Sequence, residues 1–141
     1  MNREIKFRGK SIMNNTCGDW LYSSGIKYGD DVELMYCDED TSEEWNYIDK
    51  ETLGQYTGLD DKNGKEIFEG DIVKQVSYKY SNDEYGHKGF YENISKVLYK
   101  GRAFQYEWIK TNEIEMPKDF KENFIEVIGN IYDNPELLGG K

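Results

Sequence analysis

Ten carboxylates crowd into residues 30–51 of this 141-residue chain, against the single cation Lys50, for a local net charge of −9. Paired carboxylates can serve as general acid and base, but that work needs one proton-holding partner and one ionised partner held apart by their surroundings. A run this dense singles out no such pair. Its physical uses are solvation and long-range attraction of a basic surface, including imitation of DNA phosphates. Asp30, Asp31, Asp38, Glu39, Asp40, Glu43 and Glu44 are therefore the candidate protein-interaction residues. Residues 1–29 carry five basic and two acidic side chains, and residues 52–141 carry twelve basic and sixteen acidic, which completes the overall charge of −10. Such a chain repels phosphate backbones, so general nucleic-acid binding is excluded. A small basic pocket beside Lys6, Arg8 and Lys10 is the one feature that suits an anionic small molecule.

Other reactive residue types form no constellation. Cys17 and Cys37 stand twenty residues apart and read as reduced thiols, and the lone histidine, His87, has no cysteine near it in sequence. A Cys37–His87 nucleophilic pair has no support from spacing, and no metal site, cofactor motif or catalytic residue is assigned. Asp61-Lys62-Asn63-Gly64 invites comparison with a calcium loop. With Gly64 at the sixth position, however, that loop would run from Leu59 to Gly70 and lack an oxygen side chain at either end. The segment reads instead as a turn in which Asn63-Gly64 accepts positive φ. Gly54, Gly58, Gly64 and Gly70 make no phosphate cradle, since no Gly-Lys-Ser/Thr follows. The alternating row Phe104, Tyr106 and Trp108 reads as core in a chain poor in Leu and Val. Turned to solvent, the same row would be a protein-interface or ligand-stacking surface.

The elements that must position these residues are short and strand-like. Twelve Tyr, six Phe and three Trp, with repeated glycines and two prolines, favour sheets filled by rings over long helices. Ile5 and Phe7 alternate with Lys6 and Arg8 in a half-buried strand ending at Gly9. Trp20–Tyr22 and Val32–Tyr36 follow, then an acidic surface loop over Cys37–Glu44, a return to the core at Trp45, Tyr47 and Ile48, and a helical turn from Asp49. Ile72–Tyr80 alternates, Ser81–Gly89 reads as a loop, and Ile94–Lys100 with Ala103–Lys110 makes a hairpin closed by Gly101-Arg102. Thr111–Asn123 is a polar connection and Phe124–Ile128 the last strong strand. Asn134-Pro135-Glu136 has the order of a helix start, cap then proline then acid. The expected fold is one mainly antiparallel β domain, a curled sheet or partly open barrel with one or two helical turns. No apolar run approaches the ~20 residues of a membrane span and no signal-peptide pattern opens the chain, so the expected location is cytoplasmic.

Three blocks resemble the YopX-like family of phage and prophage proteins. They are Ile5-Lys6-Phe7-Arg8-Gly9-Lys10, the run from Gln55 to Val73 (QYTGLDDKNGKEIFEGDIV), and Glu126 to Leu138 (EVIGNIYDNPELL). Gly9-Lys10 departs from the Ala-Trp usual in the opening block, and residues 11–47 and 77–120 are the divergent insertions. The resemblance implies a small, phage-borne, cytoplasmic, mostly β protein with a capacity to self-associate, and carries over no catalytic residue. The expectation is a non-enzymatic accessory protein that binds a host protein with a basic surface through residues 30–51, so interfering with a host system such as antiviral defence. Three other roles compete: an oligomeric sponge for a nucleotide-like molecule, using Lys6, Arg8 and the Phe104, Tyr106 and Trp108 rings; a hydrolase using clustered carboxylates and a metal; and a structural part in phage DNA replication or packaging.

Overall fold

The computed structural model describes residues 4–14, 16–37, 43–80, 88–116 and 125–139. They gather into two compact units, Met1–Leu59 and Asp60–Lys141. The structure is mainly β, with antiparallel sheets that do not close into a barrel and two short 3-10 turns. No helix among the described residues is long and apolar enough to cross a membrane.

In the first unit, β1 (Phe7–Lys10) lies between β2 (Trp20–Ser23) and β6 (Gly54–Asp60), antiparallel to both. A second sheet has the order β3 (Ile26–Lys27), β4 (Val32–Cys37), β5 (Glu43–Ile48). Val32, Leu34 and Ile48 form the core, joined by Phe7, Leu21, Ile26 and Leu53. Gly9 lets β1 close on that core, because a Cβ there would collide with Ile48 Cδ1 and stand 3.1 Å from its Cβ. The expected helical turn is present as Lys50–Thr52: the Asp49 carboxylate accepts from Glu51 N at 3.1 Å, a side-chain cap for an otherwise open N–H. Thr52 Oγ1 ties it to β1 by accepting from Lys10 N at 2.8 Å.

The sequence places Trp45 and Tyr47 in the core with Ile48, yet only Ile48 is buried; Trp45 is half-buried and Tyr47 exposed. Charged residues ahead of the rings did not prevent a strand either: β5 begins at Glu43, inside the expected acidic loop, because its backbone pairs with β4 from Cys37 to Val32.

The second unit is built on the sheet order β10 (Ala103–Ile114), β9 (Lys88–Lys100), β8 (Asp71–Tyr80), β11 (Ile125–Asn130). Ile67, from β7 (Glu66–Phe68), packs with Val73, Val97, Ile125 and Val127 over one face. The β9–β10 hairpin turns on Gly101 and Arg102, both at positive φ (63° and 71°), the geometry of a two-residue turn whose twist matches its strands. Both strands outrun their sequence-read limits. β9 starts at Lys88, so Gly89 is strand rather than loop, and β10 continues to Ile114 through residues read as a polar connection. Pairing with β9 supplies the backbone partners that polar side chains could not advertise. The rest of the expected Ser81–Gly89 loop, residues 117–123 of the polar connection, and Phe124 lie outside the described residues.

Candidate interaction surface

The Asp61–Gly64 turn shows how the second unit fixes its strands. Asp61 O accepts from Gly64 N at 3.0 Å, and Gly64 alone takes positive φ (82°); Asn63 does not. The carboxylate does more than the glycine. Oδ1 accepts from Asn63 N (2.8 Å) and Lys65 N (2.9 Å), while Oδ2 accepts from Val127 N (2.9 Å) in β11. Burial alone would raise the Asp61 carboxyl, but these backbone donors and the charge of Lys65 outweigh it and hold it below the ordinary range. Beside it, Glu126 meets Lys62 and Lys74, each at 3.3 Å. Here too burial pushes up, and the two lysines prevail and lower the carboxyl. Two carboxylates near a glycine turn, Asp61 and Glu126, therefore act as a clasp on β11, their oxygens taken up by backbone N–H groups and lysines.

One face of the main sheet runs from buried to bare across its width. Val127, Val73, Ser95 and Trp108 are register partners along one row, and side chains of paired residues share a face. Val73 and Val127 belong to the core under Ile67, whereas Trp108, on the outermost strand, is 64% exposed. Val97 and Tyr106 form the next row: the valine is buried, and the tyrosine is 44% exposed with its partly buried phenol raised above the usual value. Phe104 is half-buried and meets Tyr99 edge-on at 5.1 Å. The stripe read as core is thus the continuation of the core face past its cover, because β10 is the edge strand just beyond the β11, β8 and β9 residues that pack with Ile67.

Polar contacts hold this surface in place. Trp108 Nε1 donates to Thr111 Oγ1 (2.8 Å), Thr111 Oγ1 donates to Asn93 Oδ1 (2.7 Å), and Asn93 Nδ2 donates to Ser77 Oγ (3.0 Å). The relay spans β10, β9 and β8, fixing the indole that would otherwise lose rotamer freedom on binding. Sequence reading missed Thr111, Asn93, Ser77 and Tyr99. The signal that brings Thr111 onto the Trp108 face is a bulge between Trp108 and Lys110, which no side-chain pattern announces.

The remaining candidates are dispersed. Asp30, Asp31 and Glu44 are exposed in the first unit; Glu43 opens β5; Asp38, Glu39 and Asp40 lie outside the described residues, as does His87. Lys6 pairs with Glu4 at 3.3 Å. Arg8 falls on the strand face expected to be solvated, yet it is only 4% exposed, its guanidinium 4.6 Å from the Trp20 ring centre, with Lys10 Nζ at 5.4 Å from the same ring. Stacking and the apolar stem make burial of that cation tolerable. A second pair, Lys27 over Trp45 at 4.1 Å, was not foreseen. Cys17 is a free, exposed thiol. Among the described residues no three His, Cys, Asp or Glu side chains gather as metal ligands.

Comparison with known proteins gives one broad match: the family described as YopX protein, over residues 6–139. No curated protein matches the chain. Among solved structures, protein EF1440 from Enterococcus faecalis is similar at 22% identity and a TM-score of 0.49, covering 97% of this chain and 99% of that one.

Proposed function

Because the chain belongs to the YopX family, we propose that it is a phage- or prophage-borne accessory protein that acts inside the host cell by binding another protein, without catalysing a reaction. One observation carries this reading: Tyr106 and Trp108 stand exposed, in register with a buried core row, on the outermost strand of the second unit. Large rings held by their own polar contacts are the side chains that dominate binding energy at protein interfaces. The acidic segment 30–51 adds a preference for a basic partner and speeds encounter, without adding much affinity of its own. A host defence component with a basic surface fits both features.

The test compares tagged wild type, Trp108→Ala, and a variant with Asp38, Glu39, Asp40, Glu43 and Glu44 neutralised, in pull-downs from host lysate. The expected result is one partner, recovered with wild type and lost with Trp108→Ala, whose recovery with the neutralised variant falls and becomes insensitive to salt. Equal recovery with wild type and Trp108→Ala, both folded by circular dichroism, would remove the aromatic surface from the proposal.

A further inference from the structure

β10 is the outermost strand of its sheet, and among the described residues β9 alone pairs with it. Its outer side offers a row of backbone N–H and C=O groups over Ala103–Ile114, the arrangement that accepts a further strand. We propose that this edge pairs antiparallel with β10 of a second copy, about a two-fold axis through the peptide linking Trp108 to Ile109.

The bulge selects that register. In a regular strand, side chains alternate faces, so a two-fold axis perpendicular to the sheet must oppose residues of the same parity. Here Trp108 faces Ser95 and Lys110 faces Ile94, so parity changes at the middle of the strand. Tyr106 consequently shares a face with Thr111, and Glu107 shares the other face with Lys110. Centred on the bulge, Tyr106 meets Thr111 of the second copy, Glu107 meets its Lys110, Gln105 meets its Asn112, and Ala103 meets its Ile114. Each of these four couples lies on one face and the strand is used from end to end.

Charge agrees with geometry. Glu107 and Lys110 are exposed, Glu107 reaching Lys96 of β9 at 3.6 Å within its own copy, and in this register Glu107 and Lys110 meet twice as opposite charges, with no like charges opposed. An edge lysine ordinarily repels or misfits an arbitrary strand. Lys110 is matched when the incoming strand carries Glu107, so the edge is closed to strangers and open to itself. Pairing would also join the Tyr106 and Trp108 rows of two copies into one continuous surface. The inference stands apart from the identity of any host partner.

Sedimentation of full-length protein tests it. Wild type is expected to dimerise. Glu107→Lys and Lys110→Glu each oppose like charges on both sides of the two-fold axis, so each alone is expected to dimerise roughly tenfold or more weakly. Mixed in equal amounts, the two variants regain complementarity in both pairs and are expected to form a heterodimer with wild-type affinity. Circular dichroism checks that both remain folded. A wild type that stays monomeric overturns the inference, as does an oligomer unmoved by both substitutions or a mixture that fails to associate.

Discussion

Asp61 offers the sharpest test of how the second unit is held. Its carboxylate accepts three backbone N–H groups while 8% exposed, and one of them, Val127 N, is 66 residues away. Hydrogen bonds to a charged acceptor contribute about 1.5–3 kcal/mol each. In Asp61→Asn the remaining oxygen can keep Asn63 and Lys65, but the new amide turns N–H groups towards Val127 N. That loss of one charge-assisted bond amounts to about 2 kcal/mol. Asp61→Ala removes all three; the exposed turn amides recover water, so roughly 3–5 kcal/mol is expected rather than the full sum. At this chain length each kcal/mol lowers the melting temperature by roughly 2–4 °C. The pH dependence carries the same signature. Since the folded carboxyl is depressed, the native state binds fewer protons than the unfolded state. The stabilisation is therefore complete above the unfolded value of about 3.9 and is lost as pH falls through the lower folded value. Urea titrations of wild type and Asp61→Asn at pH 7, 5, 4, 3 and 2.5 should show a gap that narrows only below about pH 4. A gap under about 0.5 kcal/mol at pH 7, where ordinary surface changes fall, would refute the clasp. So would a gap constant down to pH 2.5.

Three further outcomes are expected. Gly9→Ala pushes a methyl group against Ile48 and should cost about 1–3 kcal/mol by denaturant midpoint, with Gly9→Ala plus Ile48→Val recovering part of it. Arg102→Asn replaces the one non-glycine residue with positive φ among those described by a side chain that tolerates it, and should raise stability by roughly 0.5–1 kcal/mol. Trp108→Ala should leave thermal stability within about 1 kcal/mol of wild type, because a ring 64% exposed has little burial to lose. A larger loss would mean that the indole is a structural rather than a recognition group.

Much of the architecture can be read from local chemistry. Val73, Gln75 and Ser77 alternate against Ile72, Lys74 and Val76, and that period is β8. Gly101-Arg102 between two ring-rich runs is the hairpin turn, and Asn134-Pro135 does open the last 3-10 turn. Even there the cap differs. Asn134 Oδ1 accepts from Asn130 N at 3.2 Å in β11 instead of capping a backbone N–H of the turn it begins, and its Nδ2 donates to Glu136 Oε1 at 3.5 Å.

What alternation cannot supply is the identity of the layer on each face. The pattern of β10 puts Phe104, Tyr106 and Trp108 on one side, as the structure does, but whether a side is covered depends on where Ile67 lands, in a strand some forty residues earlier. Arg8 reverses the lesson: a cation on an outward-reading face is buried because Trp20, its near neighbour across the β1–β2 pair, lies flat beneath it. The bond from Asp61 to Val127 and the bulge at Ile109 are likewise invisible until strands are in register. Sequence alone thus determined β1, β2, β4, β8, β11, the hairpin turn and the acid-rich charge pattern, since these follow from side-chain period, backbone φ and residue type, but not β3, β6 and β7 or the full extent of β5, β9 and β10, which rest on strand pairing. Which rings are bare, which cation is enclosed and which strand has one partner among the described residues were decided by tertiary structure, because exposure belongs to pairs of distant surfaces and to no single segment.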